Sequence, residues 1–194
     1  MNKKYAPGSM SSSTQIKLIE ALAVVFSLAY TWMYLKGQLP EGYILAGLGA
    51  GLFAFLCWRR KIYAESALQF FYIGMAVYGY NLISEGGTSA DQVTLTTHAI
   101  WLSTATLGTV LLGMFLKHAT DAAMPYLDAF TTVFSLVATW LMINLVHENW
   151  LYWIVIDTVS IYLYANRGLK LGSVLFALYL LLALDGYFDA IQIF

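Results

Sequence analysis

Val25-Phe26-Ser27-Leu28-Ala29-Tyr30-Thr31-Trp32 returns 108 residues later as Val133-Phe134-Ser135-Leu136-Val137-Ala138-Thr139-Trp140. Six of these eight positions are identical, a serine, a threonine and a tryptophan among them. Chance likeness between apolar helices rarely preserves such residues at fixed spacing. Glu20-Ala21 also matches Asp128-Ala129, and Gly79-Tyr80 matches Gly186-Tyr187 if one residue is skipped. The chain therefore reads as two copies of one unit, each opened by the helix that carries this motif.

The surroundings of the motif say where the units live. Of 194 residues, 60% are apolar and only 11% charged, against about 45–50% and about 25% in a soluble domain. So few charges cannot cover a soluble surface, which argues against a soluble enzyme. A net charge of -1 offers no polyanion footprint, so no nucleic-acid partner is expected. Cys57 is the sole cysteine and permits no intrachain disulfide. The expected class is an all-α integral membrane protein with the lipid bilayer as its surroundings.

A spanning helix needs about 20 mostly apolar residues, since backbone polar groups cannot go unpaired in lipid. Seven stretches qualify: Ile16–Leu35, Glu41–Trp58, Tyr63–Ile83, Thr97–Leu116, Pro125–Val146, Asn149–Ala165 and Leu169–Ile191. Breakers fill the connections, as in Lys36-Gly37-Gln38-Leu39-Pro40, Glu85-Gly86-Gly87-Thr88-Ser89 and Asn166-Arg167-Gly168. Residues 1–13 read as a flexible cytoplasmic tail. They are not a signal peptide, because the apolar run that follows is too long and lacks a cleavage site.

Residues 14–84 then form a first three-helix repeat, 94–118 a linker helix, and 124–191 a second three-helix repeat. Four crossings separate equivalent helices, so the two copies run the same way. Parallel repeats about an axis along the membrane normal are one symmetric plan for transporters, with the substrate held between the halves. Following the chain through seven crossings puts nine of its ten basic residues on the N-terminal side, with Lys36 alone opposite. The positive-inside rule then places the N-terminus in the cytoplasm and the C-terminus outside.

Polar groups inside spans are costly and point to function. In the sixth span Trp150, Trp153 and Asp157 lie at i, i+3 and i+7. At about 100° per residue they share an arc of about 60°, spread over about 10 Å of depth. Two indoles above a carboxylate suit a flat, cationic ring, through stacking, cation–π contact and opposite charge. Gln69, Tyr72 and Tyr80 share one face of the third span and offer a second wall. Asn144 lies near the outer end, where it can line an entrance. A uniform shift of 108 pairs Trp150, Trp153 and Asp157 with Gly42, Leu45 and Gly49, and Gln69 and Tyr72 with Ala177 and Leu180. That pairing implies a shared apolar frame with an off-axis polar site. Glu20 and Asp128, matched across the copies, read as gating or structural residues. Asp185 needs a partner that the sequence does not name. His98, His118 and His147 are scattered, so neither a metal site nor a cofactor is expected. Gly47–Gly51 and Ala46–Ala50 read as close helix packing.

With W-x-x-W-x-x-x-D in the sixth span of a three-plus-one-plus-three plan, the chain resembles the PnuC/PnuT family of vitamin transporters. Leu68-Gln69, Tyr78-Gly79 and Lys61-Ile62-Tyr63-Ala64-Glu65 are similar to that family as well. The resemblance implies a SWEET-like fold inserted the other way up, in the bacterial cytoplasmic (inner) membrane. It also implies facilitated diffusion of a vitamin that intracellular phosphorylation then traps, and it allows a homotrimer. The motif's last position is usually Asn in the nicotinamide riboside branch, and Asp157 looks more like the thiamine (PnuT) branch. The resemblance therefore implies a thiamine uniporter, with nicotinamide riboside or another nucleoside-like vitamin as the alternative and a sugar carrier behind it. No Walker loop supports direct ATP drive. An intramembrane enzyme would need a nucleophile with a base or a ligand cluster at one depth, and the deep acids Asp157 and Asp185 have no histidine beside them. The chain is thus expected not to be an enzyme.

Overall fold

A computed structural model describes residues 12–59, 63–87, 93–166 and 170–188. The tail expected over 1–13 lies outside these residues up to position 11, as do the turn residues Arg167 and Gly168 and the end of the last span. Seven helices fill the described chain: α1 Ser12–Leu35, α2 Glu41–Arg59, α3 Tyr63–Ser84, α4 Leu95–Ala119, α5 Pro125–Ile143, α6 Asn149–Asn166 and α7 Lys170–Phe188. α1, α2, α4 and α5 are each long and apolar enough to cross a membrane. α3 and α6 carry Gln69 and Asp157 among many tyrosines and tryptophans, which dilutes their apolar character.

Local chemistry sets the helix ends. The Thr94 hydroxyl accepts from the Thr97 N–H at 3.2 Å and caps α4. Pro125 opens α5, where its missing N–H has no partner to lose. Three helices stop by one device. After α1, Gly37 N–H donates to Tyr34 and Gln38 N–H to the Met33 carbonyl, with Gly37 at φ 65°. After α3, Gly86 and Gly87 do the same to Ile83 and Leu82, with Gly86 at φ 71°. After α5, Leu145 N–H donates to Met142 and Val146 N–H to Leu141. These paired bonds satisfy the last carbonyls of each helix. Leu145 does so at φ 54° without being glycine, a conformation that costs an L-residue roughly 1–2 kcal/mol. This cap ends α5 at Ile143, three residues short of the span expected to reach Val146.

Consecutive helices pack as α1–α2–α3 and α5–α6–α7, α4 lies on α5, and the two sets meet where α3 touches α5 and α1 touches α7. Matched contacts recur along the chain. Thr31 Oγ1 donates to the Ser27 carbonyl and Thr139 Oγ1 to that of Ser135, 108 positions on. Ser66 Oγ donates across to the Ala54 carbonyl at 3.1 Å, and Ser173 Oγ to that of Ile161 at 3.2 Å, 107 positions on. Gly79 lets α3 press against the Tyr43 ring, and Gly186 lets α7 press against the Trp150 ring. Tyr43 and Ala76 cluster with buried Ile143 of α5, while partly buried Leu35 of α1 packs against the cluster of Met142, Trp150 and Ala183. From Tyr43 and Trp150 onward the spacing is therefore 107, not the 108 used for the site residues from the sequence, because six positions separate the cap at Gly37 from Tyr43 and only five separate the cap at Leu145 from Trp150. The small-residue packing expected at Gly47–Gly51 centres instead on Gly49, which faces the Ser27 hydroxyl, while Gly51 has open space beside it.

Candidate functional site

α6 brings the three expected residues inward on one face. Asp157 is 3% exposed and Trp150 6%. Trp153 is half-buried, and its indole N–H is buried without a partner. Asp157 lies eight residues from the start of α6, about 12 Å along the helix axis.

Residues from both helix sets converge around it. The Tyr72 hydroxyl of α3 lies near Ser135 of α5, and the Tyr179 hydroxyl of α7 lies near Ser27 of α1. Both tyrosines lie within electrostatic reach of Asp157. Two tyrosine–serine pairs thus lie between the helix sets near one carboxyl group. The serines are those of the two FSL motifs. Gln69 is buried, and its amide donates to the Glu65 carboxylate at 3.3 Å, which brings a second acid to the edge of Tyr72.

The other expected residues sit apart. Tyr80 is 39% exposed, one turn from the end of α3. Asn144 caps α5 and turns its amide back onto the Trp140 carbonyl at 2.8 Å. Glu20 is half-buried in α1, and Asp128 is half-buried in the first turn of α5. Tyr179, Ser27 and Ser135 were missed from the sequence. A shift of 107 would have found the tyrosine, since Ser66, Leu68, Tyr72, Ala76, Gly79 and Tyr80 match Ser173, Leu175, Tyr179, Ala183, Gly186 and Tyr187. In that register Trp150, Trp153 and Asp157 stand opposite Tyr43, Ala46 and Ala50, and Gln69 opposite Phe176. This corrects the pairing with Gly42, Leu45, Gly49, Ala177 and Leu180. The aromatic at position 150 and the tyrosine at 72 are shared features, while Trp153, Asp157 and Gln69 are not.

A cavity of about 340 Å³ opens beyond Trp150, away from Asp157, between the α1–α2 turn, the end of α3 and the α5–α6 turn. Its lining includes Tyr34, Leu39, Ile83, His147, Asn149 and Trp150. These turns define the far face, opposite the N-terminal end of α1. Among the described residues, no group of His, Cys, Asp and Glu could hold a metal ion.

A family model described as "nicotinamide mononucleotide transporter" matches residues 17–191, nearly the whole chain. This chain belongs to the nicotinamide mononucleotide transporter family. Nicotinamide riboside transporters named PnuC are similar to it. The Neisseria mucosa protein is 25% identical over 79% of this chain and 64% of its own length, and the Escherichia coli protein 23% identical over 75% and 74%. The chain thus spans under two thirds of the Neisseria relative. The crystal structure of the vitamin B3 transporter PnuC superposes with a TM-score of 0.74 over 89% of this chain and 80% of that one, at 24% identity, and shows the same fold. The relatives named here are transporters, not enzymes, and the chain is a multi-pass protein of the bacterial inner membrane. The vitamins in these names are nicotinamide riboside and vitamin B3; none names thiamine, so the thiamine expectation finds no support among them and its nicotinamide riboside alternative fits them better.

Proposed function

We propose that this chain carries nicotinamide riboside across the cytoplasmic membrane by uniport, with phosphorylation inside the cell trapping the product. The observation that carries the proposal is the α6 face, where Trp150 and Trp153 precede a buried Asp157. The pyridinium ring of nicotinamide riboside is flat and positively charged. Ring–indole contact with a cation contributes about 0.5–2 kcal/mol when water is excluded, and Asp157 supplies the opposite charge. Tyr72 and Gln69 add hydrogen bonds, Tyr80 and Asn144 line the approach, and Glu20 and Asp128 serve the opening of the near face.

The proposed machine has two parallel three-helix units, α1–α3 and α5–α7, joined by α4. The matched hydrogen bonds, glycine–aromatic contacts and the packing of Leu35 and Ile143 each against the other half support it. The bias of basic residues supports a cytoplasmic N-terminus, so the far face is the outer one. The units rock about Asp157, exposing it to one face at a time. The homotrimer allowed by the resemblance is kept as part of the proposal, and light scattering of the detergent complex measures it.

Tryptophan-fluorescence titration of purified protein tests the substrate. Nicotinamide riboside should quench at micromolar levels, and thiamine, riboflavin and sucrose should be far weaker. Tighter binding of thiamine would return the assignment to the thiamine branch.

A further inference from the structure

We infer that Tyr34 is the outer gate of the transport path and a positioning residue for Trp150, so that one side chain ties closure of the far face to the seat of the substrate-stacking indole. This role rests on the chain carrying its substrate between two faces.

Tyr34 stands on the last turn of α1, at the floor of the cavity that opens on the far face. A space of about 340 Å³ falls within the ~300–1,000 Å³ of ligand clefts, so it serves as a vestibule. Trp150 shares its lining, and Asp157 lies two turns further along α6. The Tyr34 hydroxyl donates to the Met142 carbonyl at 2.6 Å. That carbonyl is in the last turn of α5, where intrahelical donors run out, and its second lone pair takes the Leu145 N–H at 3.1 Å. The Tyr34 ring meets Trp150 edge-on at 5.4 Å between centroids. Behind the indole is Gly186, where any Cβ would overlap the ring. Trp150 is therefore clamped between Tyr34 and Gly186.

The latch exists once. Tyr34 and Met142 occupy the same place in the two motif-bearing helices, 108 positions apart, and methionine has no hydroxyl to return the bond. The tyrosine touches the half that carries Trp153 and Asp157. Opening the far face draws the ends of α1 and α5 apart. That motion breaks the Tyr34–Met142 bond, takes away one wall of Trp150 and joins the vestibule to the space above Asp157.

The test uses the full chain with Cys57→Ser and a reporter, Ala183→Cys, placed beside Trp150 and Met142 below the gate. A membrane-impermeant methanethiosulfonate is added to right-side-out and to inverted vesicles without any vitamin. Tyr34→Phe keeps the ring and removes one hydrogen bond, so far-face labelling should rise about fivefold, with no rise from the near face. Tyr34→Met makes the two halves alike at this position. It should raise labelling further and red-shift the tryptophan emission, and it carries the test if Tyr34→Phe does not fold. An unchanged far-face rate, or an equal rise from both faces, overturns the gate. Because no vitamin is present, a failure of nicotinamide riboside to bind leaves this result separately readable.

Discussion

Gly186→Ala is the sharpest probe of the binding face, because the glycine touches the indole and not the substrate. A Cβ built there would overlap the Trp150 indole on its fused-ring side. The indole cannot retreat: Tyr34 stands edge-on at 5.4 Å, and Met142 and Ala183 pack against it in a buried cluster. Overpacking of this kind costs roughly 1–3 kcal/mol, and a displaced indole forfeits part of its ring contact. A loss of about 1.4 kcal/mol is tenfold in affinity, so Gly186→Ala should weaken nicotinamide riboside binding about tenfold or more. Gly79→Ala is the matched control, since its Cβ would meet the Tyr43 ring in the other half. Both variants should lower thermal stability in detergent by similar amounts, and only Gly186→Ala should lower affinity in the fluorescence titration. Equal effects of the two on affinity, or none from Gly186→Ala, would refute the placement of Trp150 in the site.

Further outcomes follow from the same geometry. Asp157→Asn keeps the shape and removes the charge, so nicotinamide riboside affinity should fall roughly tenfold, the worth of a hydrogen bond to a charged group, while a neutral riboside analogue should lose far less; isothermal titration reads both. Leu145→Gly relieves a φ of 54° and should raise the melting temperature, with a net gain of about 0.5–1 kcal/mol after the added chain entropy of glycine. Ser66→Ala and Ser173→Ala each remove one matched interhelical bond. Each should cost about 1 kcal/mol or less, and the two melting curves should shift alike.

Much of this plan was legible because membrane helices announce themselves by length and apolarity. Pro125 and the glycines at 37 and 86 mark ends that the structure keeps. The end of α5 was hidden, since Leu145 takes a left-handed cap that glycine normally signals. The V-F-S-L-x-x-T-W motif revealed the relation of α1 to α5. Tyr179 escaped because one position is lost between the cap at Leu145 and Trp150, which shifts everything after it, and a register of 108 set Tyr72 against Leu180. Ser27 and Ser135 escaped because each looked like part of the motif, while the tyrosines near them come from the other helix set. The substrate was the least legible feature. Asp157 suits a positive partner in the proposed site, but thiamine and nicotinamide riboside both carry a ring cation, so charge alone could not choose. Among the α6 residues, the contrast of Trp153 and Asp157 with Ala46 and Ala50 in the corrected register makes the off-axis site plainer than the sequence did.

The most direct measurement is uptake of radiolabelled nicotinamide riboside into proteoliposomes that hold the purified full chain and no nucleotide or ion gradient. Saturable entry that equilibrates at the external concentration, competed by unlabelled nicotinamide riboside more strongly than by thiamine and lost in Trp153→Ala, is the predicted result. Entry no faster than into empty liposomes, or a clear preference for thiamine, would contradict it.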